Sequence, residues 1–410
     1  MKTLIVLSML LGACSAAAAQ VAPQGLSPSK LSIGGDLSYA VRYSQMAAFY
    51  GSSQGSSQQA ILSGDLAYTN GDQRAPFSAT LGAGYTWNLA GADNWSGPYE
   101  NFILSQGLVA RGWSITASDN VSYFKLTPTT GFSGVPGTGE PIGQPNPVSS
   151  TNQSILTIGT TSISNSAMGS FIRQINKTWS LTGGGGQQLL RYPDGNGYDT
   201  TGNMANAGLT ERLSARNSFM EQYEFSSFTF SGYNFSFVSN TAMFGWTRQW
   251  SRHINSQVSA GPDWIGSSNS AAIPASTQMS AQASLTETLR SGNVSLQYSR
   301  GSSGGSGYYY GSETDEASAG LSRQFGKNWT AEMAIGYYRT VALAAQGSIN
   351  SKFASAQATR KIGQRFSAYA DYTASTQSTS SQLPANVQTQ LWQMISFGFG
   401  YTPPALHLRR

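Results

Sequence analysis

Two histidines, one cysteine and a sparse set of carboxylates are all that this sequence offers for covalent or acid–base chemistry. A hydrolytic triad needs a histidine held between a nucleophile and an acid. His253 falls in a short polar turn and His407 stands close to the end of the chain. Neither has a Ser/Asp arrangement that spacing singles out. No His/Cys/Asp/Glu group shows metal-ligand spacing. The glycine run Gly183 to Gly186 lacks the Lys-Ser/Thr that follows the glycines of a phosphate loop, and it reads as part of a strand where small residues make room for neighbours. The expectation is therefore no catalytic residue, no metal, no cofactor and no enzyme.

The charges that recur do so with a period. Six segments share the order apolar, any residue, Arg or Glu, any residue, apolar. They centre on Arg173, Glu211, Arg248, Glu287, Arg323 and Arg360, spaced by 38, 37, 39, 36 and 37 residues. Each leads into a short polar turn such as Asn176-Lys177, Ser251-Arg252, Gly326-Lys327 or Gly363-Gln364. A new apolar start follows at Trp179, Ile254, Trp329 or Phe366. Gly and Asn suit tight hairpin turns because they tolerate φ > 0. The unit is thus two long strands, one tight turn and one longer loop.

Alternation with period two supports this. Ala331, Met333, Ile335 and Tyr337 share one face, and Thr330, Glu332, Ala334 and Gly336 the other. Leu31, Ile33, Leu37, Tyr39, Val41 and Tyr43 likewise oppose Ser32, Asp36, Ser38 and Arg42. Between Phe237 and Phe244 the apolar parity switches, which predicts a β-bulge. Asn70-Gly71 and Arg111-Gly112 extend the series of tight turns toward the N-terminus. Eight turns flanked by strands, plus a first strand near 31–43 and a last near 388–402, give about 18 strands. Sixteen stays open, because 113–165 is hard to divide.

Composition says what such strands face. Only 10% of the residues are charged, against about a quarter in ordinary soluble domains. Mean hydropathy is −0.25, and beyond the N-terminus no run approaches the ~18 apolar residues of a membrane helix. A transmembrane barrel needs only every second strand residue to be apolar. The reading is all-β: an antiparallel, up-and-down transmembrane barrel with short periplasmic turns and longer extracellular loops. Trp87, Trp179, Trp250, Trp264, Trp329 and Tyr308-Tyr309-Tyr310 stand near strand ends, where interfacial girdles place aromatics.

The N-terminus reads as an export signal. Lys2 precedes the apolar Leu4 to Leu11, and Ala17-Ala18-Ala19 gives a small-residue cleavage site before Gln20. Leu11-Gly12-Ala13-Cys14 offers a second reading, lipidation at Cys14. The expected division is a signal peptide at 1–19, a short periplasmic segment at 20–30, the barrel at 31–402 and a periplasmic C-terminal tail at 403–410. The net charge of +5 is spread thinly, without the basic cluster that nucleic-acid binding requires.

The export signal, the alternating hairpins and the last strand, Ile395-Ser-Phe397-Gly-Phe399-Gly-Tyr401, resemble Gram-negative outer-membrane barrels over nearly the whole chain. That resemblance implies an outer-membrane location, lipid around the barrel, and recognition of the last strand by the barrel-assembly machinery. Nine residues after Tyr401 depart from the usual ending. The Arg-x-apolar-turn-basic-x-Trp texture also resembles porin-like barrels associated with exopolysaccharide export.

By parity, Asp36, Arg42, Asp65, Glu224, Glu332, Lys361 and Asp371 are candidate lumen residues. Arg173, Glu211, Arg248, Glu287, Arg323 and Arg360 are candidate lipid-facing charges at the periplasmic rim, anchoring or pairing there. Basic turn residues Lys177, Arg216, Arg252, Lys327 and Arg365 fit solvated turns near acidic headgroups. The mostly acidic lumen predicts weak cation preference or passage of neutral polar solutes. Three functions follow: a porin-like passive channel, an export barrel for exopolysaccharide or another polymer, and a closed structural or adhesive barrel. The connection 125–153 carries Pro128, Pro136, Pro141, Pro145 and Pro147, so it reads as a long loop that either constricts the mouth or moves outside it.

Overall fold

The computed structural model describes residues 34–50, 56–70, 72–91, 96–125, 161–231, 235–305, 308–344, 347–380 and 391–409. The expected signal peptide, and the connection 125–153 apart from Lys125, lie outside them. Strands dominate: β1 (Gly34–Tyr50), β2 (Ser56–Asn70), β3 (Phe77–Gly91), β4 (Gly97–Ala110), β5 (Trp113–Lys125), β6 (Thr161–Gln174), β7 (Trp179–Arg191), β8 (Thr200–Arg212) and β9 (Asn217–Phe230). Then come β10 (Phe235–Gln249), β11 (Ile254–Ser267), β12 (Ser276–Leu289), β13 (Gly292–Ser303), β14 (Ser312–Phe325), β15 (Trp329–Ala342), β16 (Ser348–Ile362), β17 (Phe366–Thr379), β18 (Trp392–Tyr401) and β19 (Leu406–Arg409).

Each strand from β1 to β18 pairs antiparallel with its neighbours in sequence, and β18 pairs with β1 from Val41↔Tyr401 to Tyr50↔Trp392. The result is a closed barrel of 18 strands. Closure matters because an open edge in hydrocarbon would leave peptide groups without partners. The segment expected as a tail contributes the short β19, whose Leu406–Arg409 pair with Gly34–Leu37 and lengthen the same seam. Pro403 and Pro404 separate it from β18, because proline has no N–H to give to the ladder.

In-register partners share a face, so one face can be followed round the barrel. Tyr39, Leu66, Leu81 and Phe102 form one such row. Leu321, Met333, Ala356 and Tyr372 form another. Large apolar residues on this face stand exposed, among them Val41, Leu62, Met279, Met333, Ile335 and Phe397. This is the lipid side. Tyr337 lies eight residues along β15 from Trp329, which at about 3.3 Å per residue and a tilt of about 40° makes an apolar belt of roughly 20 Å. Both edges are aromatic. Trp246, Trp250, Trp329 and Phe366 stand exposed at the short-turn end. At the other edge, Tyr223, Tyr298, Tyr337 and Tyr372 each donate a hydroxyl hydrogen bond to the next strand. Their acceptors are Asn240, Asp315, Asn350 and Gln393, at 2.6, 3.0, 3.0 and 3.0 Å.

Three expectations need correction. No bulge interrupts β10 against β9, since the register runs unbroken from Phe235↔Phe230 to Arg248↔Asn217. The parity switch arises because Phe235 and Phe237 turn inward and are buried. A register shift occurs instead between Gln58 and Gln59 against β3. Tyr308 and Tyr309 are not girdle residues; they are buried in a loop that folds into the mouth. Finally, the turn after Asn70 is not tight. The side chain of Asn70 bridges it, donating to the Ala75 carbonyl and accepting from the Phe77 amide.

Candidate functional site: the barrel interior

The interior is lined by the face opposite the exposed apolar residues. Its side chains are short and polar, and their exposure changes along the barrel axis. Ser180, Thr182, Ser295 and Gln297, nearer the short-turn end, are partly exposed. Gln188, Leu190, Thr340, Gln377 and Met394, nearer the long-loop end, are buried. The lumen is therefore open to water on the periplasmic side and closes down toward the outer mouth.

Part of that closure is aromatic. Phe228 and Phe230 of β9 and Phe235 and Phe237 of β10 pack with Ile265 and Ile273, and Tyr198, Tyr310 and Leu343 lean on the cluster. The Phe228 and Phe237 rings stack with centroids 4.8 Å apart, and Tyr198 stacks on Tyr310 at 4.4 Å. Tyr310 arrives from the β13–β14 connection, which bends inward at Gly305 (φ 78°) and Gly311 (φ 88°). Tyr308 and Tyr309 both donate backbone hydrogen bonds to the Gly305 carbonyl at 3.1 Å. A side chain at Gly304 would come within 3.1 Å of Phe228 and of Thr200, so this loop is seated against β8 and β9 across the mouth.

Acidic groups line the wall in two sectors. On one side Glu332 of β15, Gln357 of β16, Asp371 of β17 and Ser396 of β18 stand in one in-register row. Ser322 donates to Glu332 at 3.2 Å, and Ser396 donates to Asp371. Glu316 on β14 accepts from the Tyr338 hydroxyl at 3.3 Å. On the other side Glu224 and Asp263 flank Thr241 in register. Asp263 is buried and accepts from Ser239 at 2.6 Å and from Ser302 at 2.5 Å. Thus Glu316, Glu332, Asp371 and Asp263 are held by neutral hydroxyl donors. Arg42 differs: its Nη1 lies 2.5 Å from Asp65 Oδ2, so this cation is cancelled where it stands. Asp36 and Lys361 share the inner face by parity but are exposed near the short-turn end.

Asp263 and Glu316 are interior acids that the sequence reading passed over. The signal was present in both strands. Asp263 alternates with Trp264, and Glu316 has the parity of Ser318 and Ser322, opposite Leu321. The aromatic cluster was harder to see, because a phenylalanine's direction depends on which loop folds over it.

The six repeated charges take lipid-face positions at the short-turn end. Arg248 lies over the Trp250 ring at 4.1 Å and the Trp246 ring at 5.6 Å. Arg323 lies over Phe325 at 5.2 Å, and Arg360 over Trp329 at 5.4 Å. Arg173 is in register with Trp113 and Leu181, Glu211 with Trp179 and Phe219, and Glu287 with Ile254 and Val294. Among the described residues no ion pair joins two of the six. His253 is exposed in the β10–β11 turn, away from the interior.

A closed barrel with an apolar exterior, aromatic edges and a polar inside has one setting. The chain is an outer-membrane β-barrel. No family model matches it, and no curated protein does. Among solved structures it is similar to Acinetobacter baumannii OccAB3, at 10% identity and a TM-score of 0.44 over 90% of this chain and 99% of that one. It is similar to Pseudomonas aeruginosa OpdQ, at 10% identity and 0.43 over 90% and 98%. It is also similar to Pseudomonas aeruginosa OpdK solved with vanillate, at 7% identity and 0.46 over 91% and 98%. These are likenesses between barrels.

Proposed function

We propose that this barrel is a passive channel for polar solutes with a weak preference for cations. The observation that carries the reading is the charge of the inner wall. Glu224, Glu316, Glu332 and Asp371 face the interior without cationic partners, whereas Arg42, the one mid-strand cation on the inner face among the described residues, is tied to Asp65. A ring of one sign in a low-dielectric tube sets ion preference, because like charge must pay the field before entering. The short polar wall suits small hydrophilic solutes, and the aromatic mouth limits their width. Lipid would surround the exterior, and the aromatic face of β18 would serve the assembly machinery. The leader at 1–19 would be lost on export, leaving 20–30 in the periplasm.

Planar-bilayer recording tests this. The expected result is steady conductance with a reversal potential of cation sign under a KCl gradient. The double variant Glu332→Gln/Asp371→Asn should move that potential toward zero. A tight seal would favour a closed structural barrel instead. An anionic polymer would be repelled by this wall, so polymer export has no support from the interior charge.

A further inference from the structure

The exterior carries a second charged feature, independent of the lumen. On β13 to β16, at and just beyond the tyrosine edge of the apolar belt, five ionic side chains share the lipid face: Arg300, Glu313, Asp315, Arg339 and Lys352. Their pairing is lopsided. Arg300 takes both acids, with Nη2 2.5 Å from Glu313 Oε1 and Nη1 3.2 Å from Asp315 Oδ1. The same Asp315 oxygen accepts the Tyr298 hydroxyl at 3.0 Å. Asp315 is thus turned toward β13 and away from Arg339, its in-register neighbour on β15. The other in-register neighbour of Arg339 is Asn350, whose side-chain oxygen Oδ1 accepts from the Tyr337 hydroxyl. Lys352 stands in register with Tyr337 and Thr376, neither of them acidic. Arg339 and Lys352 are both exposed, and among the described residues neither has an acidic partner.

These two cations are diagonal neighbours on adjacent strands, about 7 Å apart at the backbone. Like charges so placed at the border of hydrocarbon repel each other unless an anion sits between them. Arginine's planar fork and lysine's point charge together match a phosphate group. The patch lies at the end with the longer loops, which in outer-membrane barrels faces outside. We infer that Arg339 and Lys352 form a binding site for the phosphorylated headgroup of an outer-leaflet lipid, walled on one side by the Arg300–Glu313–Asp315 network. The occupant is a lipid because the site continues the apolar belt: Ile335 and Tyr337 lead into it from the membrane side and would lie along the acyl chains.

Native mass spectrometry of the full chain in detergent, after incubation with lipid A and separately with phosphatidylcholine, tests this. One lipid A should be retained through collisional removal of detergent, and phosphatidylcholine, whose choline cancels its phosphate charge, should not be. Arg339→Gln/Lys352→Gln should weaken that retention about 30-fold, the equivalent of ~1 kcal/mol per basic residue at an anionic surface. The control Arg323→Gln/Arg360→Gln, at the opposite rim, should leave it unchanged. Equal retention by the first variant, or equal loss in the control, overturns the site. Displacement of lipid A by millimolar inorganic phosphate alone overturns the assignment to lipid. A dimer that the Arg339/Lys352 variant abolishes would show that a second copy covers this patch instead. Channel conductance is read separately, so failure here leaves the lumen reading standing.

Discussion

An arginine turned toward lipid near a headgroup layer costs about 0–1 kcal/mol, and a stacked aromatic offsets it. Arg248 shows how. Its guanidinium is 4.1 Å from the Trp250 ring centroid, on the face where Trp246 also stands. Substitution Arg248→Ala should destabilise the barrel by about 0.5–1 kcal/mol, and Arg248→Lys by less. Urea unfolding in lipid vesicles, followed by tryptophan fluorescence, measures the difference, and an unchanged midpoint for both would deny the stacking any weight. Glycine has a different role at Gly398 in the last strand. A Cβ there would run into the end of the Tyr369 ring and lie 2.6 Å from the Tyr43 carbonyl, so strand backbone as well as a buried ring must shift. Gly398→Ala should cost about 1–3 kcal/mol in the same assay, as overpacking does. The rim charges were legible as a spacing. The ring partners of Arg248 and Arg323 are two residues away in sequence, whereas that of Arg360 crosses to β15 and needed the register.

Strand by strand, the alternation of apolar and polar residues specified which face meets lipid, because a one-residue slip would turn every greasy side chain into the lumen. That is why β15, and β1 from Asp36 to Tyr43, could be read with their faces intact from sequence. The same rule misled at β10, where Phe235 and Phe237 follow the polar parity of Ser239 and Thr241. They are apolar because the mouth above the polar wall is itself a small hydrophobic core. Alternation shows which side a residue faces, but whether that side is wet depends on loops that are distant in sequence. The same dependence hid Tyr308 to Tyr310, whose run of aromatics looks like a girdle until Gly305 and Gly311 turn it inward. If this mouth is a packed core, Phe237, at 0% exposure against Phe228, should be costly to truncate. Phe237→Ala should lose about 3–5 kcal/mol and Phe237→Leu clearly less. Thermal unfolding compared with Phe244→Ala, a lipid-facing change on the same strand, is the measurement. Equal shifts for the two would mean that Phe237 is not enclosed.

At the scale of the whole molecule, closure decides both stability and use. Hairpins are local and form from neighbouring residues, but the β1–β18 seam joins the two ends of the barrel and carries the loop-closure cost of the entire chain. Ten residues of β18 face β1, and beyond Pro403 and Pro404 the four of β19 resume on the first residues of the same strand. Period and parity pointed to about 18 strands with 16 left open, yet they were silent about this extension, because four residues after two prolines carry too little pattern to be read as a strand. The interior followed the same division: parity located most of the acids, while the gradient from open to closed along the axis came from how loops return over the rim. The seam predicts a definite effect of shortening. A chain ending at Thr402 keeps the β18 pairing and should still fold into vesicles with an unaltered single-channel conductance, since β19 lies at the wide periplasmic end. It should unfold more easily by on the order of 2 kcal/mol, the net worth of a few ladder hydrogen bonds. The shift should appear as a lower temperature for loss of the compact band in gel electrophoresis. If the shortened chain matched the full one in that assay, β19 would be an ornament of the seam; if it failed to insert at all, the extension would belong to assembly rather than to the finished barrel.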